Sequence, residues 1–166
     1  MIMSPVLHSF TYGFDYLREQ VADVPPADMA RQFPGVANHP AWLLGHVTFT
    51  CQMLGGVIGI STWLPEHWAE RYGSGSKPVA DVTAYDTKET LLSQLADAQH
   101  RMIAAVQRLA ETQLNARFPD PAYLDVFPTV RHALTQVLVA HMGYHIGQLS
   151  VWRKAAGAPP MARAFE

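Results

Sequence analysis

The chain has 166 residues, of which 49% are apolar and only 16% are charged, a balance that excludes the disordered class and suits one folded domain over 1–166. The formal net charge is −2 and no basic cluster is present, so we expect no nucleic-acid partner. The single Cys51 cannot form an internal disulfide, and the N-terminal residues lack the pattern of a secretory leader. We therefore expect a cytoplasmic protein with no membrane association.

Two helices are predicted in the first third of the chain. Apolar residues recur at spacings of three and four from Pro5 to Val24, which is the pattern of an amphipathic helix, and two prolines follow. The second helix has Asn38 as its N-cap and Pro40 in its first turn, and it extends to about Gly56. The uncharged window 41–60 is long enough to cross a bilayer, but its polar residues and glycines favour a helix buried within the protein.

Two further helices complete the predicted all-α fold, because no segment alternates with period two. The third begins at Asp86 as its N-cap, and the fourth runs from Thr129 through Trp152 with Gly157 as a stop signal. About 27 residues, 59–85, separate helices two and three, whereas adjacent antiparallel helices need only about 2–8. This predicts a four-helix bundle with a long crossover between helices two and three. Because loops of this length often carry function, we expect the crossover's Trp and Tyr residues to cover a pocket.

The placement of the histidines is the strongest chemical signal. His141 and His145 are four residues apart, so they lie on one helical face and can both point at one ion. His46 lies on the apolar stripe of the second helix and can supply a third nitrogen. His39 lies seven residues earlier on nearly the same face and is an additional candidate, ranked after His46 because it lies less deep in the stripe. The alternative interpretation is a set of ordinary hydrogen-bonded core histidines.

Carboxylates are absent from the two helices that carry these histidines, so the Glu-x-x-His pairs of di-iron bundles are missing. Three neutral imidazoles would leave a divalent ion its full charge and open positions, as in catalytic zinc sites. Such an ion lowers the pKa of bound water to about 7, or deprotonates a bound thiol. No catalytic residue can be assigned, but Tyr144 and Gln148 are candidates to orient the ligands through hydrogen bonds.

Small residues form a second stripe on the fourth helix. Gly143 and Gly147 each cost about 1 kcal/mol relative to Ala in a helix interior, and Ala140 and Ser150 lie on the same side. A neighbouring helix can approach closely there. The charged fraction of 16% is also below the roughly 25% usual for globular proteins. These observations favour a homodimer interface or, equally, close packing within one chain.

The segments LGHV at 44–47 and HxxxHxGQ at 141–148 resemble the DinB/YfiT-like superfamily, and the resemblance extends over essentially the whole chain. It implies a four-helix bundle with up-down-down-up topology, often dimeric, in which His46, His141 and His145 bind a divalent metal such as zinc, nickel, iron or manganese. Similar proteins include transferases that use low-molecular-weight thiols, such as bacillithiol or mycothiol, and a mycothiol-dependent maleylpyruvate isomerase.

The leading functional hypothesis is therefore a metal-dependent thiol S-transferase that acts on a small-molecule electrophile in detoxification or stress response. One alternative is a metal-dependent hydrolase that uses an activated water. A second alternative, from a different class, is a dimeric metal-binding module without turnover.

Overall fold

Helices account for most of the computed structural model, which describes residues 3–161. In chain order the α-helices are α1 (Ser4–Ala22), α2 (Pro40–Val57), α3 (His67–Tyr72), α4 (Lys88–Val106), α5 (Glu111–Leu114), α6 (Val130–Thr135) and α7 (Met142–Ala155). A π-helical turn over Gln136–His141 joins α6 to α7, so that 130–155 is one continuous helix. No β-strand occurs within the described residues, which confirms the all-α prediction. None of the helices described has the length and apolar character needed to span a membrane.

Two helices begin one residue later than predicted. The N-cap of α2 is His39 rather than Asn38, because the His39 ring accepts the backbone N–H three residues further along. The N-cap of α4 is Thr87 rather than Asp86, and its hydroxyl accepts a backbone N–H in the same way. Asp86 instead accepts a hydrogen bond of 2.8 Å from the Tyr72 hydroxyl. The Asn38 side chain likewise contacts a distant residue, Gln148, so local sequence could not reveal either contact.

The long helices share one apolar core. Helix α2 packs against α4 and α7, and α1 packs against α7 and α4. Phe10, Leu43, Leu95 and Leu149 come one from each long helix, and all four are fully buried. They belong to a single cluster of buried apolar side chains, whose removal from water stabilises the arrangement. Buried Arg153 adds an ion pair to Asp23, which ties α7 to the end of α1.

The crossover between α2 and α4 contains α3, and this short helix is packed into the core. Trp68 and Tyr72 are buried, so the prediction that the crossover's aromatic rings cover a pocket is wrong for these two. Burial of such large apolar surfaces stabilises more than exposure at a pocket rim. The Tyr72 ring lies directly over Gly45 of α2, where an added Cβ would be 2.2 Å from a ring carbon. Only glycine at position 45 allows this close approach.

We expect Gly45→Ala to destabilise the protein, because the added methyl group overlaps the fully buried Tyr72 ring. Overpacking of this kind costs about 1–3 kcal/mol, which a urea unfolding experiment measures as a decrease in the free energy of unfolding. Gly56→Ala in the same helix is the matched control, since nothing lies within 4 Å of an added Cβ there. We expect it to be neutral or to stabilise by up to about 1 kcal/mol. Equal effects of the two substitutions would contradict the role assigned to Gly45.

Candidate metal centre

Three histidine rings from two helices meet at one point. His46 comes from α2, and His141 and His145 come from the last helix. The Nε2 atoms of His46 and His141 are 3.2 Å apart, and those of His141 and His145 are 3.1 Å apart. One nitrogen from each ring lies within 4.8 Å of the other two, and no second group of this kind occurs among residues 3–161. The structure thus brings together the three histidines that the sequence singled out, while metal binding by them stays a prediction.

The π-helical turn ends at His141, the first of the two clustered histidines in the last helix. A turn with i→i+5 hydrogen bonds holds more residues than an α-helical turn, so it changes which side chains face the core after it. Leu138 and Met142 are buried, and His141 is half-buried at the edge of the core. Such turns occur frequently at functional sites. The position of this turn at His141 is therefore an independent indication of a functional site.

The His46 and His145 rings each make a hydrogen bond through Nδ1, the nitrogen that points away from the cluster. These hydrogen bonds determine which ring nitrogen carries the proton. His46 Nδ1 is 2.7 Å from the backbone oxygen of Tyr72. Because a carbonyl oxygen can only accept, this Nδ1 donates and carries the ring proton. His145 Nδ1 is 2.9 Å from the side-chain oxygen of Gln148 and donates in the same way. The Nε2 atoms of His46 and His145 therefore carry lone pairs directed towards His141.

Burial keeps all three rings uncharged at neutral pH. Desolvation lowers the pKa of His145 to about 3 and the pKa of His141 to about 4, and repulsion between the rings adds to both shifts. Desolvation also lowers the pKa of His46. The indole of Trp42 covers one face of the His46 ring, with 4.6 Å between ring centroids and 9° between planes. Neutral imidazole is the form that binds metal ions.

The donor set fits a divalent metal ion. Two imidazole nitrogens bound about 2.1 Å from one ion lie about 2.9–3.4 Å apart when the angle between them is about 90–110°. The separations from His141 to His46 and to His145, 3.2 and 3.1 Å, fall in this range, and all three nitrogens lie within 4.8 Å of one another. Without a cation, the lone pairs of His46 and His145 both face His141, whose Nε2 can donate to only one of them. No carboxylate or thiolate belongs to this group of described residues, so a bound ion would keep its +2 charge.

The other sequence candidates have different positions. His39 is fully buried, its Nδ1 accepts the Trp42 backbone N–H, and its Nε2 donates to the Val79 carbonyl oxygen at 3.1 Å. Both His39 nitrogens are thus in use, and this residue does not belong to the cluster. Gln148 contacts His145 directly, as expected for a residue that orients a ligand. Tyr144 is 65% exposed, and its ring lies beside that of His145 with 5.2 Å between centroids.

Two residues at the site were not found from the sequence. Tyr72 acts through its backbone carbonyl oxygen, which every residue possesses, so no signal for it exists. Asn38 donates a hydrogen bond of 3.0 Å to the Gln148 side-chain oxygen, 110 positions away. Its local context suggested a helix cap instead.

These features define an all-helical protein with three neutral histidines that converge between its second and last long helices. Residues 10–149 match the DinB superfamily, and the chain belongs to this superfamily. The match confirms the resemblance drawn from the two histidine segments, and it includes His46, His141 and His145. Comparisons with curated proteins and with solved structures found no match. Membership in the superfamily is consistent with a metal-binding enzyme.

We expect the metal-free protein to lose stability as the pH falls from about 6.5 to about 4. Burial lowers the pKa of His39 to about 4, from 6.5 when exposed. Between these two pH values His39 binds a proton in the unfolded chain but not in the folded protein. The free energy of unfolding therefore decreases with falling pH. The lowered pKa values of the three clustered histidines act in the same direction.

His39→Asn tests this assignment, because Asn keeps a capping acceptor but removes one titrating group. Urea unfolding in the presence of a chelator, repeated between pH 4 and 7, should give a shallower pH dependence for this variant. His100→Asn, at an exposed position of α4, is the matched control. An unchanged pH dependence in His39→Asn would show that this residue is not held neutral by the fold.

Proposed function

We propose that this protein is a metal-dependent thiol S-transferase, which joins a low-molecular-weight thiol to a small electrophile in detoxification or stress response. The observation that carries the proposal is the cluster of three neutral imidazoles without a carboxylate. A divalent ion held there supplies positive charge that favours the thiolate form of a bound thiol. In the reaction the sulfur forms a bond to carbon, the bond to the leaving group breaks, and the thiol proton departs with that group.

His46, His141 and His145 are the proposed ligands. Tyr72 and Gln148 hold the protons of His46 and His145 on Nδ1, which keeps Nε2 of both rings free to bind the ion. Imidazole ligands suit several divalent metals, so zinc, nickel, iron and manganese all remain candidates. The ligand set therefore favours a metal site without selecting the metal.

We propose that the crossover shapes the side of the site that receives the electrophile. A cavity of about 370 Å³ is lined largely by crossover residues, among them Arg71 and Ser76. The Ser76 hydroxyl accepts the indole N–H of Trp42 at 2.9 Å, and this indole stacks on His46. One aromatic ring thus connects the cavity wall to a proposed ligand.

The proposal includes the up-down-down-up four-helix bundle that the resemblance implies. Its support is the set of contacts in which α1 and α2 each pack against both α4 and α7. A reducing cytoplasm is the proposed location. The buried free thiol of Cys51, whose pKa burial raises to about 12, is compatible with it.

The proposal predicts thiol consumption that depends on bound metal. The assay combines metal-loaded protein, a panel of low-molecular-weight thiols and an aryl halide electrophile, and follows loss of free thiol. We expect a chelator, or replacement of both His141 and His145 by Ala, to reduce the rate by more than about 100-fold, since changes behind metal ligands alone cost 10–100-fold. Elemental analysis should show loss of metal from the double variant and retention in His39→Asn.

Two other results would contradict the transferase proposal. Turnover of an ester or amide without added thiol would favour a metal-dependent hydrolase. A strong rise in melting temperature with metal, together with no turnover of either kind, would favour a metal-binding module without catalysis.

We also propose that the protein is a homodimer through the outer face of the last helix. Nothing lies within 4 Å of a Cβ added at Gly143 or Gly147, so these glycines do not serve close packing within one chain. Tyr144 and Val151 are exposed on the same face, beside a largely apolar groove of about 600 Å³. The segment 133–152 contains no Asp, Glu, Lys or Arg, so a second copy can approach without charge repulsion.

Val151→Glu should weaken this dimer, because it places a charge on each side of a two-fold interface. Val151 is 56% exposed, so the substitution costs the monomer little. Light scattering after size exclusion is expected to give a dimer mass for the wild type and a monomer mass for the variant. Val126→Glu, at a position 60% exposed elsewhere on the surface, is the matched control and should remain dimeric. A monomeric wild type at micromolar concentration would refute the interface.

A further inference from the structure

We propose that Asn38 is a positioning residue for the ligand His145, and that it acts by holding the Gln148 amide in one orientation. The inference rests on the proposed metal site. Asn38 Nδ2 donates to Gln148 Oε1 at 3.0 Å, and His145 Nδ1 donates to the same oxygen at 2.9 Å. One amide oxygen therefore receives two donors, which come from the start of α2 and from the last helix.

The donor and acceptor roles of the Asn38, Gln148 and His145 side chains depend on one another. If His145 binds an ion through Nε2, its proton must be on Nδ1, and Gln148 must present its oxygen to that proton. Asn38 must then present its NH2 group to the same oxygen. In only one other arrangement are both hydrogen bonds kept. There the Asn38 oxygen accepts from the Gln148 NH2 group, and the same NH2 group donates to His145 Nδ1. This arrangement places the His145 proton on Nε2, where it occupies the lone pair that the metal needs.

The backbone that follows Asn38 is firmly held, which limits the movement of its side chain. The next residue, His39, is fully buried, and both of its ring nitrogens are hydrogen-bonded. Two positions further, the N–H of Ala41 donates to the carbonyl oxygen of Met29 at 2.9 Å. Asn38 and Gln148 are themselves half-buried.

The two oriented ligands differ in how their orientation can change. His46 donates to a backbone carbonyl oxygen, which has no alternative donor face. His145 donates to a side-chain amide, whose oxygen and NH2 group can exchange places by a rotation of about 180°. The proton position of His145 therefore depends on the orientation of a side-chain amide, and the Asn38 side chain contacts the oxygen of that amide.

Asn38→Asp tests the proposal, because Asp has nearly the same shape but can only accept when ionised. The carboxylate should draw the Gln148 NH2 group towards itself, turn the amide, and move the His145 proton to Nε2. We expect affinity for Co²⁺, measured by its visible absorption against a competing chelator, to fall about 10–100-fold. The added negative charge alone would raise the affinity for Co²⁺, whereas rotation of the Gln148 amide would lower it. The direction of the change therefore distinguishes the two effects.

A second measurement does not depend on metal. Long-range ¹⁵N–¹H spectra of the metal-free protein at pH 7 should show the His145 proton on Nδ1 in the wild type and on Nε2 in Asn38→Asp. Gln148→Glu presents only acceptor oxygens, so it should keep the Nδ1 proton and bind Co²⁺ at least as tightly as the wild type. Asn115→Asp, in the exposed cluster with Arg131, is the control for net charge. If Asn38→Asp does not fold, Asn38→Ala replaces it. For Asn38→Ala we expect the affinity for Co²⁺ to fall a few-fold and the His145 proton to be divided between Nδ1 and Nε2.

The outcomes separate this inference from the proposed function. A wild type that binds no Co²⁺ contradicts the metal site, while the position of the His145 proton still tests the role of Asn38. A wild type that binds Co²⁺, with an Asn38→Asp variant of equal or higher affinity and an unchanged proton position, overturns the role of Asn38 alone.

Discussion

The position of one proton on each of two histidine rings determines what the cluster can do. Hydrogen bonds to Tyr72 and Gln148 keep the protons of His46 and His145 on Nδ1, so that their Nε2 lone pairs converge on His141. A buried acceptor without a donor costs about 1–3 kcal/mol. Protonation cannot relieve the conflict near neutral pH, because burial lowers the pKa of all three rings. A cation held by the three Nε2 atoms would remove this conflict.

The same constraint connects the packing of the crossover to the chemistry of the site. The Tyr72 ring rests on Gly45, and the backbone oxygen of the same residue receives the His46 proton. A change in the packing at Gly45 therefore displaces the group that orients a proposed ligand. A second link runs from Ser76 to the Trp42 indole, which stacks on one face of the His46 ring. The long connection is thus a structural part of the site.

Much of the fold and the ligand set could be predicted because both depend on helical periodicity. Spacings of three and four located the long helices, and the same geometry placed His141 and His145 on one face. Helix α3 was missed because six residues are too few to show a periodic pattern. The π-helical turn was missed because the residues in Gln136–His141 are also compatible with an ordinary helical turn.

Contacts between distant parts of the chain account for the rest of what the sequence did not reveal. Asn38 and Asp86 both have side chains suited to capping a helix, and each is used for a partner elsewhere. His39 was a reasonable ligand candidate by its place on the helix, yet the Val79 carbonyl, 40 positions away, occupies its Nε2. In each case the residue type was informative, and only the tertiary partner decided its role.

The ligand set alone does not choose between a thiol and a water as the group that reacts. Three neutral imidazoles leave an ion with its full charge, and thiolate and hydroxide both neutralise part of it. What separates a transferase from a hydrolase is therefore the space and the contacts offered to the second substrate. In the proposed function the crossover provides those features, since its Arg71 and Ser76 line a cavity and the Trp42 indole lies between Ser76 and His46. Under this proposal, a change in the crossover alone would alter the reaction while the three histidines stay in place.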